Sequence, residues 1–285
     1  MIQTWRRYRR CQRWLRDYPA GWQAGCVLSM LLSVALYGCV AKPLDALVKR
    51  DGYQQALVGG EAFLHRTVFK SRAGEGINGQ QLHVYIEGDG RPWWRLREVA
   101  EDPTPRHPIV LSLLPLDPAP VLYLGRPCYF ATRDPACTPS WWTHKRYSEA
   151  VVASLNAALD IYAASYQSIR LIGFSGGGTL AMLIAARRDD VDAVVTIAGN
   201  LDIHGWAMHH GYSPLRGSLN PAEWALPATI RQLHLLAARD VQVPMQLSDA
   251  VIGPGDHIST IVYPDFDHRC CWRSVWPAAL EGLGP

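Results

Sequence analysis

The string Gly173-Phe174-Ser175-Gly176-Gly177 sets a serine among glycines at the junction of two patterns. Arg170-Leu171-Ile172 reads as a strand leading in, and Thr179-Leu180-Ala181-Met182-Leu183-Ile184 as a helix leading out. A G-x-S-x-G string alone is only moderately specific. Between a strand and a helix it forms an elbow that lifts the serine to the tip of a sheet in a strained conformation. The glycines relieve crowding in so tight a turn, and the helix N-terminus behind Ser175 favours developing negative charge. Ser175 is the candidate nucleophile.

A serine hydroxyl attacks poorly until a base takes its proton. His268, in Asp265-Phe266-Asp267-His268, follows the last strand pattern and is the expected base. Asp240 follows the strand pattern at residues 232–237 and precedes Val243-Pro244, which makes it the expected acid that fixes the histidine tautomer and stabilises the imidazolium. Asp202, in Gly199-Asn200-Leu201-Asp202, follows an earlier strand and is the second choice for the acid. Asp267 adjoins His268 in sequence and is expected to point elsewhere. Among other histidines, His257 precedes the last strand and belongs at the opposite end of the sheet, while His209 and His210 sit in a loop that can line a pocket.

Acyl-transfer chemistry at Ser175 also needs donors for an oxyanion. One is the N–H of Gly176. The other is expected from the loop Gly88-Asp89-Gly90, with the N–H of Asp89 or Gly90 as donor. An ordinary glycine turn is the alternative for that loop. Trp93, Trp94, Trp141 and Trp142 flank these loops, either as the wall of an apolar pocket or as core.

Several elements must position these groups. Residues 61–69 and 82–87 read as strands, with Gly74, Gly76, Asn78 and Gly79 between them reading as a turn that joins antiparallel partners. Residues 109–116 suit a strand or a short buried helix, and residues 121–124 a short strand. Apolar residues at 151, 152, 155, 158, 159 and 162 predict an amphipathic helix over 148–162. Further strands are expected at 169–173, 193–198, 232–237 and 258–263, with a final helix near 271–283. Strands alternating with helices imply an α/β fold with a mostly parallel sheet covered on both faces, and ligands bind at the C-terminal ends of such strands. No internal repeat, low-complexity tract or inner linker divides the body.

The chain has 285 residues, 48% of them hydrophobic and 19% charged, the balance of a globular domain with a sizeable core. Its net charge of +3 is concentrated in the leader, where Arg6, Arg7, Arg9, Arg10, Arg13 and Arg16 fall. Without residues 1–38, which hold those six arginines and Asp17, 22 basic and 24 acidic residues remain, a net charge of −2. No basic patch marks the body, so nucleic acid is not an expected partner. The arginines precede an apolar run, Ala24 to Tyr37, in the layout of a secretory leader. The charge-free window from Pro19 to Ala41 is long enough to serve instead as an uncleaved anchor. Helix-like spacing of Leu44, Leu47, Val48, Ala56 and Leu57 predicts a linker helix over 39–60, ahead of a catalytic domain over 61–285. Of seven cysteines, Cys11 and Cys26 lie in the leader and Cys39 ends it. Cys128 and Cys137 close a short loop rich in Pro and polar residues, which suits a disulfide in an oxidising compartment. The alternative is that these two, with Cys270 and Cys271, are buried thiols. No Cys or His spacing suggests a metal site.

Ser175, Asp240 and His268, in that order on that strand pattern, resemble the α/β-hydrolase superfamily over roughly Glu61 to Leu283. Ile86-Glu87-Gly88-Asp89-Gly90, Gly125-Arg126-Pro127-Cys128 and Ala198-Gly199-Asn200-Leu201-Asp202 resemble, more narrowly, bacterial α/β-hydrolase lipoproteins. Leu36-Tyr37-Gly38-Cys39 is similar to a lipobox, although Tyr37 stands where a small residue is usual. The resemblance implies a cofactor-free serine hydrolase that cleaves a small-molecule or lipid-like carboxylic ester, in the bacterial envelope facing the periplasm. A peptidase or thioesterase is the alternative within that class, and a non-catalytic binding module the alternative outside it. Glu87-Gly88 departs from the His-Gly that many lipases carry there, and no long apolar lid segment is evident.

Overall fold

The computed structural model describes residue 44 and residues 51–71, 81–95 and 98–282. Its strands, in chain order, are β1 (Gln54–Gly59), β2 (Leu64–Lys70), β3 (Gln81–Ile86), β4 (Trp93–Trp94), β5 (Glu98–Val99), β6 (Val121–Leu124), β7 (Ser168–Phe174), β8 (Val191–Ile197), β9 (Arg231–Ala237) and β10 (Ile258–Tyr263). Eight of them form one sheet in the order β1-β2-β6-β3-β7-β8-β9-β10, while β4 and β5 pair separately. From β6 through β10 every neighbouring pair in the sheet is parallel, whereas β1–β2 and β2–β6 are antiparallel.

The interior strands are apolar on both faces, as a sheet covered by helices on both sides requires. Leu82, Val84, Tyr85 and Ile86 of β3 are fully buried, as are Leu171, Ile172, Val194, Val195 and Leu235 of the next strands. The helices are α1 (Ile109–Leu113), α2 (Glu149–Ala163), α3 (Gly176–Ala185), α4 (Ile203–His209), α5 (Met245–Asp249) and α6 (Trp272–Glu281). Helix α2 buries Val151, Val152, Leu155, Ala158 and Leu159 on one stripe, whereas α3 is buried almost all round.

Two expectations are corrected. Residues 54–59 form β1, so the linker helix does not extend over 39–60, and the main sheet already includes this strand ahead of residue 61. Ala56 and Leu57 face Thr67 and Arg66 across an edge pairing, and Leu57 is exposed. Strands β2 and β3 are not partners, because β6 lies between them. Both faces of β3 are buried, which makes it an interior strand with a parallel neighbour on each side. The proposed turn falls within residues 72–80, outside the described residues. The ambiguous segment at 109–116 is helical, as α1 followed by a 3-10 turn. Among the described residues no helix is long and apolar enough to cross a membrane. The leader and Cys39 lie outside the described residues.

Because β3 and β7–β10 run parallel, the loops after them emerge along one edge. Those loops carry residues 87–90, Ser175, 198–202, Asp240 and His268.

Candidate active site

Ser175 stands between β7 and α3 with φ 53° and ψ −122°, a positive-φ conformation unusual for a residue with a side chain. Its surroundings hold it there. The Ser175 N–H donates to the Ile197 carbonyl at 2.9 Å, and its own carbonyl accepts from Gly178 at 2.9 Å and Asn200 at 3.2 Å. The elbow leaves no room for side chains on either side. A Cβ at Gly173 would lie 2.2 Å from the Gly177 carbonyl oxygen, and one at Gly177 would lie 2.1 Å from that of Ile86.

His268 reaches this serine. Its Nε2 lies 3.1 Å from Ser175 Oγ and its Nδ1 lies 2.7 Å from Asp240 Oδ2. An ionised carboxylate only accepts, so Nδ1 carries the proton and Nε2 is left to accept from the hydroxyl. The other oxygen of Asp240 accepts the N–H groups of Gln242 and Val243, both at 2.8 Å, which aims the carboxylate. The histidine ring packs against Phe174 at 4.9 Å, and its backbone carbonyl accepts from the Trp272 indole at 3.1 Å. The two loops are tied together by Arg239 N–H to the Phe266 carbonyl at 2.9 Å.

The rivals lie elsewhere. Asp202 caps α4, accepting from the His204 N–H at 3.1 Å and the Asn220 amide at 2.9 Å. Asp267 accepts the N–H groups of Arg269 and Cys270, which keeps its carboxyl below the usual carboxylate range. His257 lies before β10, where its carbonyl accepts from the Gln232 N–H near the start of β9. His210 bonds the Gln242 carbonyl at 3.0 Å and stacks on Tyr212, and His209 meets it edge to face.

The 88–90 loop passes beside the serine. A Cβ at Gly88 would lie 3.2 Å from that of Ser175. Gly90, with φ +64°, turns away toward Pro103, whose carbonyl accepts the next N–H, that of Arg91, at 2.7 Å. Gly176 is the first residue of α3, so its N–H has no partner within the helix. The tryptophans divide. Trp142 is buried and donates to the Ala100 carbonyl at 3.0 Å, and Trp141 packs edge-on against Phe63. Trp93 and Trp94 are exposed on the β4–β5 hairpin, beside a cavity of about 430 Å³ that they line with Arg91 and Arg106. Ser175, Asp240 and His268 are not part of that cavity's wall. Cys128 and Cys137 are joined, with their Cα atoms 5.5 Å apart, and the structure also joins Cys270 to Cys271. Among the described residues no three His, Cys, Asp or Glu side chains gather as a metal ion would require.

The Dienelactone hydrolase family pattern matches residues 119–268, more than half of the chain. The chain belongs to the dienelactone hydrolase family. The matched span opens just before β6 and ends on His268, so it includes Ser175, Asp240 and His268. Solved structures agree on the fold of this family member. A putative α/β hydrolase of unknown function from Agrobacterium tumefaciens is 14% identical with a TM-score of 0.55, over 81% of this chain and 94% of that one. A serine hydrolase without a lid from Xanthomonas campestris is 13% identical with a TM-score of 0.56, over 82% and 95%. An esterase from Pyrococcus furiosus is 12% identical with a TM-score of 0.55, over 81% and 89%. No curated protein sequence matches. This member of the dienelactone hydrolase family is thus a hydrolase with the α/β-hydrolase fold. Sequence reasoning did not single out Arg146, Tyr129 or Tyr147, which surround Asp89, and gave Arg126 and Glu87 no task. The Ile86-Glu87-Gly88-Asp89-Gly90 and Gly125-Arg126-Pro127-Cys128 resemblances pointed toward that cluster without joining its members.

Proposed function

We propose that the chain is a serine carboxylic-ester hydrolase working through an acyl-enzyme. One observation carries this reading: His268 bridges Ser175 Oγ at 3.1 Å and Asp240 Oδ2 at 2.7 Å, with the serine on a strained elbow. Ser175 Oγ attacks the ester carbonyl while His268 Nε2 takes its proton. The resulting oxyanion accepts from the N–H of Gly176, at the positive end of α3, and from that of Asp89. Collapse expels the alcohol, which takes the proton back from Nε2. Water, activated by the same histidine, then releases the acid and frees the serine. Asp240 holds Nδ1–H throughout and stabilises the imidazolium. A lactone is a cyclic ester, so membership of a family named for dienelactone supports ester over amide or thioester. The small-molecule or lipid-like ester meets the site in a cell envelope, where the leader tethers the domain to a membrane through Cys39.

The test is labelling of the full chain with a fluorophosphonate, followed by peptide mapping, beside hydrolysis of matched p-nitrophenyl ester, thioester and anilide substrates. Label on Ser175 and preference for the ester are expected. Ser175→Ala should lose on the order of 10³-fold or more in kcat while remaining folded. Wild-type turnover by the alanine variant would refute the nucleophile.

A further inference from the structure

Asp89 is anchored at both its carbonyl and its carboxylate. Its backbone carbonyl accepts from the Tyr129 hydroxyl at 2.9 Å. Its carboxylate accepts from Arg126 Nη1 at 2.5 Å, from Arg146 Nη1 at 2.9 Å and from the Tyr147 hydroxyl at 2.7 and 2.6 Å to the two oxygens. The clamps are anchored in turn: Arg126 Nη2 donates to the Arg146 carbonyl at 3.3 Å, and Arg146 Nε to that of Thr143 at 2.5 Å. The Arg126 guanidinium also packs over the Tyr129 and Tyr147 rings at 5.2 and 5.4 Å.

This assembly abuts the nucleophile elbow. A Cβ at Gly176 would lie 2.2 Å from Asp89 Oδ1 and 2.3 Å from the Tyr147 hydroxyl, so the carboxylate and the phenol occupy the space of a side chain at 176. On the other side, the Gly88 peptide lies against Ser175 and Phe174. The Gly88 N–H is committed to Glu87 Oε1 at 3.2 Å, which leaves the Asp89 N–H as the next donor along the loop. The two proposed oxyanion donors, at residues 176 and 89, therefore belong to segments packed directly against each other.

We propose that the Asp89 carboxylate, with Arg126, Arg146, Tyr147 and Tyr129, is a positioning set that fixes the Asp89 N–H for the oxyanion. This deepens the serine-hydrolase reading and rests on it. The arginine side chains are 1% and 6% exposed, too enclosed to meet substrate themselves, so they act through Asp89. Burial alone would raise the Asp89 carboxyl, but Arg146 and Arg126 beside it hold it well below the usual range, so it stays ionised wherever the enzyme works. Two guanidiniums face one carboxylate, and the surplus positive charge has the sign that an oxyanion needs nearby. Preorganised donors of this kind are worth about 10²- to 10³-fold in kcat when one is lost.

The experiment measures kcat and KM for a p-nitrophenyl ester, affinity for an alkyl boronic acid that adds to the serine as a tetrahedral anion, and thermal unfolding. Asp89→Asn should lower kcat by about 10²-fold with KM nearly unchanged, and boronate affinity should fall in parallel with kcat/KM. Tyr129→Phe and Tyr147→Phe, which each remove one clamp and keep the packing, should each lower kcat about tenfold with the same parallel. Arg126→Lys should keep more activity than Arg126→Met. If Asp89→Asn does not fold, the two tyrosine variants decide. Folded variants with wild-type kcat and boronate affinity, changed only in melting temperature, would make the cluster a structural ion pair and overturn the proposal. Wild-type protein that takes no fluorophosphonate on Ser175 would instead overturn the hydrolase reading beneath it.

Discussion

Glu87→Gln should flatten the pH dependence of folding stability. Glu87 directly follows β3 and is 2% exposed. It accepts from the N–H groups of Gly88 and Val110, each at 3.2 Å, so it ties the 88–90 loop to the first turn of α1. Desolvation raises its carboxyl to about 7 from an ordinary 4.5, outweighing the N–H groups that pull it down. The folded state therefore holds a proton that the unfolded chain gives up near pH 4.5. The associated stability is fully present below that pH and is lost as pH rises through about 7. The shift from 4.5 to about 7 corresponds to roughly 3 kcal/mol, most of it lost between about pH 5 and pH 7. The amide of the variant cannot titrate. Urea unfolding of both proteins across that range should show wild type losing about 2 kcal/mol relative to the variant. The buried imidazoles of His65 and His234, both lowered to about 4 chiefly by desolvation, act in the opposite sense, but they are common to both proteins and cancel in the difference. Parallel curves, separated by a constant offset at every pH, would refute the reasoning.

Asp240→Asn should lower kcat by about 10⁴-fold by leaving His268 in the wrong tautomer. Asp202→Asn should leave kcat within a few fold and cost about 1 kcal/mol or less of stability at the α4 cap, so kinetics and melting of the two variants test the choice of acid. Cys39→Ser should abolish uptake of labelled palmitate and leave a soluble or an uncleaved protein, whereas wild-type protein that keeps residues 1–38 and takes up no palmitate would mark the leader as a plain anchor.

Local signals carried most of the fold. The strand into Ser175 and the helix out of it are contiguous in sequence, and β10 coincides with its expected range of 258–263. Asp240 and His268 were legible because each follows a clear apolar strand, and a parallel sheet delivers such residues to one edge. The failures were non-local. The glycine-rich segment between β2 and β3 has the composition of a hairpin turn, but strand neighbours depend on what else pairs, and β6 takes the place between them. Ala56 and Leu57 match a helical stripe only when read with residues 44–48. The edge pairing with β2 outweighs that weak periodicity. The clamp on Asp89 was unreadable for the same reason: Arg126 and Arg146 lie 37 and 57 residues from it, and no spacing rule joins them.

The distribution of buried charge supports a task for that clamp. Glu87, Arg126, Arg146, Asp240 and His268 are buried, Asp89 is largely so, and all belong to segments around the loops at one edge of the sheet. A buried ion pair recovers little net stability after desolvation, and apolar residues of similar volume often do as well or better. Elsewhere Leu, Ile and Val dominate β3, β7, β8 and β9, although His83, Arg170 and His234 are also buried there. The Asp89 cluster departs from the apolar solution beside Ser175, where a fixed charge and a fixed N–H are useful to a developing oxyanion. Stability alone would place charged clusters without regard to the elbow. A positioning role requires contact with it, and that contact is the one that the absent side chain of Gly176 makes room for.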